Sequence, residues 1–239
     1  MSASVIMTQS SSMPTEDQRW IHLPFIKLEP LAFDDSVLNR SYTWLVFSSK
    51  NAVRYFLPYL SLLRYEKVAV IGEKTQRFCE QHGIEVDFCP EDFSQEGFLD
   101  KFTFKEGASI FIPSSKAARP ILEEVLKERG ADVVKIDLYE PVEHQQNILY
   151  AIKLLKEQSA DVIAFASSSS AENFFKALKR CQVQPDFECY AIGQPTYETV
   201  RKNGYDAVIA RKQTIDGLIY TIKESRNLCL LYTSPSPRD

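Results

Sequence analysis

Hydroxyl side chains follow nearly every apolar run of this chain, where a predicted strand gives way to a predicted helix. The first N–H groups of a helix have no partner within it, and the helix dipole favours negative charge there. Serine or threonine at such a point either caps the helix or contacts an anion. We therefore predict anion-binding loops, with candidate binding residues Thr8, Ser48, Ser49, Lys50, Gly72, Thr75, Ser114, Ser115, Ser167, Ser168, Ser169, Gly193 and Thr196.

Basic side chains lie next to several of these loops in the sequence. They are Lys50, Lys74, Lys116 and Arg119. Each either adds positive charge for an anionic ligand or is an ordinary solvated surface residue. Together the loops suit a ligand with many carboxylates or phosphates.

Tyr139 is the candidate catalytic residue. A phenol can donate a hydrogen bond or act as a weak acid. The alternative is that Tyr139 is a packing aromatic. The chain contains no G-x-G-x-x-G, G-x-x-x-x-G-K-[ST] or G-x-S-x-G motif. An enzyme built on this sequence would have to act by positioning a reactive substrate and by electrostatics.

An internal repeat organises the elements that carry these residues. Thr43–Leu60 resembles Asp161–Leu178, 118 positions later, and Ala69–Thr75 then resembles Tyr190–Thr196. Each copy is an apolar run, a turn and an amphipathic run. Strands that alternate with helices predict an α/β fold with two similar parallel-sheet domains, flavodoxin-like and doubly wound. The natural place for a ligand is between the two halves.

The number of predicted strands indicates that one domain is split in sequence. Only the strands 161–165, 189–192 and 206–210 follow residue 160, so the N-terminal run Ser4–Thr8 is needed to complete that half. We predict a split domain of residues 1–22 plus 144–229 and an inserted domain of residues 31–134. Residues 23–30 and 135–143 are predicted to form a two-stranded linker, and residues 230–239, with Ser-Pro-Ser-Pro, a disordered tail that is not necessarily native sequence.

The amino-acid composition and net charge argue against several classes of partner and cofactor. The chain has 239 residues, 44% of them hydrophobic, and a formal net charge of −4. This balance argues against a nucleic-acid partner, which usually leaves a basic footprint. Five cysteines without a C-x-x-C pair indicate reduced thiols, and three scattered histidines lack metal-ligand spacing. No run is long enough to cross a bilayer. We expect a cytoplasmic monomer without metal, cofactor, nucleic-acid partner or membrane contact.

Several sequence blocks together resemble the uroporphyrinogen-III synthase family. In order they are FSSKNAV, VAVIGEKT, VDFCPEDFSQEGFL, SIFIPSSKAARPIL, IDLYEPVE, DVIAFASSSSAENF and YAIGQPTYETV, over about residues 40–225. The resemblance implies two α/β domains joined by a two-stranded linker. It also implies an enzyme that acts on hydroxymethylbilane, a linear tetrapyrrole with eight carboxylates. The hydroxyl is expelled, ring D is inverted through a spiro intermediate, and the macrocycle closes without a metal or cofactor.

The resemblance also implies roles for individual residues. The family tyrosine that assists hydroxyl departure corresponds to Tyr139. The threonines of the two G-x-x-T loops correspond to Thr75 and Thr196, and the serines of the two F-x-S turns to Ser49 and Ser167. Family contacts with substrate are made largely by main-chain amides of such turns. This chain has Thr8-Gln9 where Thr-Arg is usual in the family.

Two other functions fit the same fold pattern. One is a non-catalytic, two-lobed binding protein for a small polyanionic ligand, which closes by a hinge motion. The other is a glycosyl- or nucleotide-transferring enzyme, which requires a nucleotide-diphosphate site that the sequence does not show.

Overall fold

The computed structural model describes residues 4–14 and 17–226, so the predicted tail at 230–239 lies outside the described residues. The chain divides into two compact units. The split unit contains the residues up to Lys27 and those from Val142 onward, and the continuous unit is Leu28–Pro141.

Strands alternate with helices along most of the chain. The strands are β1 (Val5–Met7), β2 (Trp20–His22), β3 (Ile26–Pro30), β4 (Ser41–Phe47), β5 (Arg64–Val70), β6 (Ser109–Ser115), β7 (Asp132–Glu143), β8 (Val162–Phe165), β9 (Glu188–Ala191) and β10 (Ala207–Ile209). The α-helices are α1 (Lys50–Phe56), α2 (Glu73–Gln81), α3 (Gln95–Lys101), α4 (Ile121–Glu128), α5 (Gln145–Lys156), α6 (Ser168–Cys181), α7 (Gln194–Lys202) and α8 (Ile215–Ser225). Short 3₁₀ helices occupy Asp35–Asn39 and Leu57–Leu62.

The two sheets place the two copies of the repeat in equivalent positions between their neighbouring strands. One sheet runs β10-β9-β8-β1-β2 and the other β3-β7-β6-β4-β5. The β8 and β4 strands come from the two copies of the repeat. The β8 strand lies between β9 and β1, and β4 lies between β5 and β6, with parallel pairing on both sides. The predicted α/β fold class with two similar parallel-sheet domains is confirmed.

Apolar side chains cover both faces of each sheet, as a parallel sheet requires. In the split unit, alternate residues of β1 point to opposite faces, because Ile6 joins one cluster while Val5 and Met7 join another. In the continuous unit, Phe47 and Val46 likewise point to opposite faces of the sheet and join different clusters. The sheets therefore present their strand ends, rather than their faces, to solvent.

The sequence also predicts a strand over 86–89, and this prediction is wrong for a full strand. Phe88 forms only an isolated bridge with Ala69. The Asp87 carboxylate accepts the N–H of Val68 at 2.8 Å, in place of a ladder carbonyl. Pro90 follows and has no N–H to donate. The segment therefore pairs with β5 without extending the ladder.

Proline also shortens two predicted helices. The amphipathic pattern predicts a helix over about 116–129, but the helix begins at Ile121, because Pro120 disfavours helical geometry in the residue before it. A helix is likewise predicted over about 50–62, but the α-helix stops at Phe56 and the chain continues as a 3₁₀ helix that has Pro58 in its first turn. The segment Ser10–Arg19 is short and polar, with room for little more than two turns of helix, and its described residues form none.

Gly97 and Gly217 occupy equivalent tight positions in the two units. Each is the third residue of its helix, and its N–H is accepted by the capping hydroxyl of Ser94 or Thr214. A Cβ on Gly97 would lie 2.6 Å from the carbonyl oxygen of Asp92, and one on Gly217 would meet the carbonyl oxygen of Lys212 as closely. The Cβ and Cγ of Asp92 would lie 2.5 Å from the Cβ on Gly97, so side-chain atoms add to the backbone clash at that site.

We therefore expect Gly97→Ala and Gly217→Ala each to lower the free energy of unfolding by roughly 1–3 kcal/mol, the usual cost of overpacking. This outweighs the gain of about 1 kcal/mol that alanine brings to an unconstrained helix position. Urea unfolding measures the effect, with exposed Lys202→Ala in α7 as the control, expected within about 0.5 kcal/mol of the unsubstituted protein. An alanine variant more stable than the parent would show that the neighbouring backbone moves to accommodate the added Cβ at little cost.

Burial of Cys189 makes the split unit sensitive to alkaline pH. Cys189 lies in the apolar cluster beneath α6, and burial raises its pKa from 9.0 to about 12. The thiol keeps its proton in the native state at pH values where the unfolded chain loses it. Its contribution to stability is therefore complete below pH 9 and is lost as pH rises towards 12.

The expected loss from Cys189 is about 1.4 kcal/mol per pH unit within that window. Urea unfolding between pH 8 and pH 10.5 measures the slope, and Cys189→Ala should make it shallower. Exposed Cys181→Ala is the control and should leave the slope unchanged. Equal slopes in the parent and Cys189→Ala would contradict the assignment.

Candidate active site

The Tyr139 side chain lies in the continuous unit, at an irregularity of β7. Tyr139 pairs with Ser115 of β6, and the register shifts between Ser114 and Ser115. A bulge of this kind changes the direction of a side chain. The N–H of Lys116 donates to the Tyr139 carbonyl at 2.9 Å and holds the loop after β6 against the strand. Tyr139 is thereby placed at the carboxyl end of β6.

The Tyr139 hydroxyl contacts the start of α1. Its Oη lies 3.0 Å from the Ser49 Oγ. Ser49 caps α1 and accepts the N–H of Ala52 at 3.2 Å. The Tyr139 side chain is 5% exposed, and burial raises the pKa of the phenol above its ordinary value of 10.0, against a smaller lowering by the Ser49 hydrogen bond. The phenol therefore carries its proton at neutral pH.

The other predicted residues of the continuous unit lie at the ends of β4, β5 and β6. Ser48 and Ser49 follow β4, and Lys50 is exposed at the first position of α1. Gly72 precedes α2 and leaves its first turn without a side-chain cap. Thr75 is buried in that turn. The carboxyl ends of parallel strands meet at one edge of a sheet, so these residues share one side of the continuous unit.

Ser114 and Ser115 are engaged locally. The Ser114 hydroxyl is buried and donates to the Ser115 carbonyl at 3.3 Å. Ser115 Oγ accepts the N–H of Ala117 at 3.2 Å. Both hydroxyls thus shape the loop between β6 and α4.

The basic residues predicted near this loop lie beside carboxylates. Lys116 forms an ion pair with Glu140 at 3.0 Å, and Arg119 forms one with Glu96 at 2.7 Å. Exposed pairs of this kind contribute little energy. Each pairing reduces the net positive charge that these side chains offer to an anionic ligand.

Thr8 holds the corresponding edge of the split unit together. Its Oγ1 donates to the Ala164 carbonyl at 2.9 Å and accepts the N–H of Ala166 at 3.1 Å. The side chain is 1% exposed. Its hydroxyl is therefore used to join the ends of β1 and β8.

The serine run after β8 forms the start of α6. Ser167 caps the helix and accepts the Ser170 N–H at 3.1 Å, and its hydroxyl also contacts those of Ser169 and Ser170. Ser168 is half-buried and Ser169 is exposed. A pocket of about 300 Å³ opens here, lined by Thr8, Gln9, Ser10, Ser11, Ile26, Ala166, Ser167, Ser170 and Ile215.

The start of α7 repeats the geometry of α2. Gly193 leaves the helix without a side-chain cap, and Thr196 is buried in the first turn. The Gln213 side chain lies over Gly193 and would be 2.8 Å from an added Cβ. Phe93 lies over Gly72 in the continuous unit, 3.6 Å from such a Cβ. Both units thus offer main-chain N–H donors at an uncapped helix end.

Two residues of these sites were not predicted from the sequence. Gln9 is 4% exposed, and its Oε1 has no hydrogen-bond partner among the described residues. The Tyr55 ring stacks on that of Tyr139, with centroids 4.9 Å apart and planes 16° apart. The position of Gln9 directly after Thr8 was a usable signal for Gln9. No sequence pattern pointed to Tyr55.

Metal and membrane features are absent from the part of the chain that the structure describes. Residues 4–14 and 17–226 contain no group of three His, Cys, Asp or Glu side chains able to hold a metal ion. No helix in the same ranges is long and apolar enough to span a membrane.

Comparison with known proteins identifies the family. Residues 17–220 match the family model described as uroporphyrinogen-III synthase HemD. The chain belongs to the uroporphyrinogen-III synthase family. The resemblance stated from the sequence blocks is confirmed, and the chain is an enzyme of tetrapyrrole biosynthesis by family. The family acts on a small tetrapyrrole.

Individual relatives of the synthase family agree with this assignment. A Methanocaldococcus jannaschii protein, provisionally named uroporphyrinogen-III synthase, is 30% identical over 196 residues, 77% of this chain and 79% of that protein. The uroporphyrinogen-III synthase of Synechococcus elongatus is 25% identical over 225 residues, 85% of each chain. The crystal structure of uroporphyrinogen-III synthetase from Helicobacter pylori has a TM-score of 0.62 at 20% identity, and covers 94% of this chain and 100% of that one. This last likeness bears on the fold, and none of these findings supports a non-catalytic binding protein.

Proposed function

We propose that this synthase-family chain converts hydroxymethylbilane into uroporphyrinogen III. The match of residues 17–220 to the family model carries the proposal. The net reaction is the loss of one water molecule with closure of the macrocycle, so it needs no oxidant or reductant.

The chemistry can be written as a sequence of bond changes. The C–O bond of the hydroxymethyl group breaks, and the hydroxyl leaves as water after it receives a proton. The ring-D carbon that already carries a bridge then attacks the electrophilic methylene and forms the spiro intermediate. The bond from that carbon to its old bridge breaks, and the bridge joins the free α-carbon, which loses a proton. Without the enzyme the free α-carbon attacks first, so catalysis here is control of geometry.

We assign the proton donor to Tyr139. The Ser49 Oγ already accepts the Ala52 N–H, and its own hydrogen is free to point at the Tyr139 Oη. In that arrangement Tyr139 keeps its proton for the leaving hydroxyl. Burial raises the pKa of the phenol, so the proton is present throughout the neutral range.

The remaining predicted residues are proposed to bind the substrate carboxylates. The uncapped starts of α2 at Gly72 and of α7 at Gly193 offer main-chain N–H donors, and Ser48 and Ser168 lie at comparable turns. Lys50 adds a charge beside the first of these turns. Carboxylates are favoured at such helix ends by both the free donors and the dipole.

The test is the isomer that the protein forms from freshly generated hydroxymethylbilane. The products are oxidised to porphyrins and separated by chromatography. We expect the type III isomer to predominate, with type I alone in a sample that contains heat-denatured protein. Type I alone from the native protein would overturn the proposal, whether or not the bilane binds.

We further propose that the enzyme works as a cytoplasmic monomer. The cysteines Cys79, Cys89, Cys181 and Cys189 are all free, which suits a reducing compartment. Fractionation of the source cells and sedimentation of the purified chain test the two parts of this statement separately.

A further inference from the structure

Tyr55 occupies an unusual position in the continuous unit. It lies near the end of α1, half-buried, and its ring is nearly parallel to that of Tyr139 at a centroid distance of 4.9 Å. Its hydroxyl donates to the Leu28 carbonyl at 3.0 Å. Leu28 belongs to β3, the neighbour of β7 in the sheet. Tyr55 is thus held at its backbone by α1 and at its hydroxyl by β3.

The same short helix therefore contacts Tyr139 at two points. Ser49, which caps α1, meets the Tyr139 hydroxyl, and Tyr55, in the last turn, covers the Tyr139 ring. A phenol is free to turn about its side-chain torsions unless its ring is also fixed. The hydroxyl contact sets where the oxygen lies, and the stacked ring limits how the side chain can rotate.

We propose that Tyr55 is a positioning residue for Tyr139, which it holds in the orientation that delivers a proton to the leaving hydroxyl. This inference rests on the acid role of Tyr139 proposed above. Tyr55 itself does not transfer a proton, since its hydroxyl is committed to the Leu28 carbonyl. A misplacement of about 1 Å at a catalytic group is enough to cost a large factor in rate.

The test compares Tyr55→Leu and Tyr55→Phe in two backgrounds, the parent and Tyr139→Phe. In the parent we expect Tyr55→Leu to lower kcat about 10-fold with KM changed less than about twofold, because the substrate-binding loops are untouched. Tyr55→Phe keeps the ring and should recover most of that loss. In the Tyr139→Phe background Tyr55→Leu should change kcat less than about twofold, because its effect passes through Tyr139.

A matched control separates positioning from general loss of packing. Tyr59→Leu removes a half-buried ring from the same apolar cluster, where it contacts Phe33 and Phe56 rather than Tyr139. It should lower thermal stability much as Tyr55→Leu does, while leaving kcat unchanged.

A second readout follows the phenol directly. Tyrosine labelled with ¹³C at Cζ is incorporated, and the Tyr139 signal is assigned from Tyr139→Phe. Removal of Tyr55 exposes the phenol and removes a neighbour that raises its pKa, so the Tyr139 titration should move to lower pH. Tyr59→Leu should leave it in place.

Three outcomes would overturn the inference. They are an unchanged kcat in Tyr55→Leu, an equal loss of kcat in both backgrounds, and an equal loss of kcat in Tyr59→Leu. Failure of the acid role is distinguishable from all of these, because Tyr139→Phe itself would then turn over at the parent rate. Loss of the type III product from the parent would instead refute the proposed function.

Discussion

Tyr139→Phe is expected to lower kcat about 100-fold, near the lower end of the usual contribution of general acid catalysis. The reason for the low end is that a hydroxymethylpyrrole ionises readily, so the reaction retains a substantial rate without the donor. The substitution keeps the ring, its stack on Tyr55 and its burial. It removes only the hydroxyl that meets Ser49. KM should therefore change little.

Steady-state kinetics with freshly generated bilane measure this effect. The control is Tyr150→Phe, which removes a hydroxyl from an exposed tyrosine of α5 and should leave kcat unchanged. Because the donor must be protonated, the kcat of the parent should hold to pH 10 and fall only above it, provided that the fold persists. Turnover of Tyr139→Phe at the parent rate would remove Tyr139 from the reaction.

Phe174→Ala is expected to lower the free energy of unfolding by about 3–5 kcal/mol, the range for removal of a buried aromatic ring. Phe174 lies on the inner side of α6 and is fully buried. Its ring stacks on Phe25 at 5.9 Å and contacts Phe165 of β8 at 5.5 Å. Phe25 and Phe165 come from distant parts of the sequence, so the ring joins both segments of the split unit.

Chemical denaturation measures this loss. Phe93→Ala is the control, since that ring is 55% exposed and its removal should change the free energy of unfolding by less than about 0.5 kcal/mol. An equal cost for the two substitutions would show that the aromatic cluster beneath α6 does not carry the stability of the split unit.

The regular elements were the most predictable part of the fold. The amphipathic pattern predicts a helix over about 169–180, and the structure has Ser168–Cys181; the strand predicted over 189–192 is Glu188–Ala191. Buried strands and amphipathic helices of this length leave a clear periodic signal. The strand count of the two halves also indicated that the N-terminal run completes the later half, and β1 does pair with β8.

The strand β2 shows the limit of such patterns. Trp20–His22 spans only three residues, too few for an alternating pattern, and no strand was predicted between residue 8 and the linker that begins at residue 23. Its strand geometry depends on pairing with Val5–Met7, which no local signal reveals.

The candidate site, like the fold, was only partly predictable from the sequence. Ser49 was predictable, because a hydroxyl after a buried strand and before a helix has a known role. Its contact with Tyr139 was not, since the two residues are 90 positions apart and meet only through the register shift beside Ser115. The stacking of Tyr55 on Tyr139 depends on the same strand register, so it could not be predicted from the sequence alone.

The most direct measurement is the fate of one carbon–carbon bond in the substrate. Hydroxymethylbilane is prepared with ¹³C at the bridge between rings C and D and at the ring-D carbon bonded to that bridge. If the protein inverts ring D, that bond breaks, and the product lacks the one-bond ¹³C–¹³C coupling of the substrate. Persistence of the coupling in the product formed by the native protein would contradict the account.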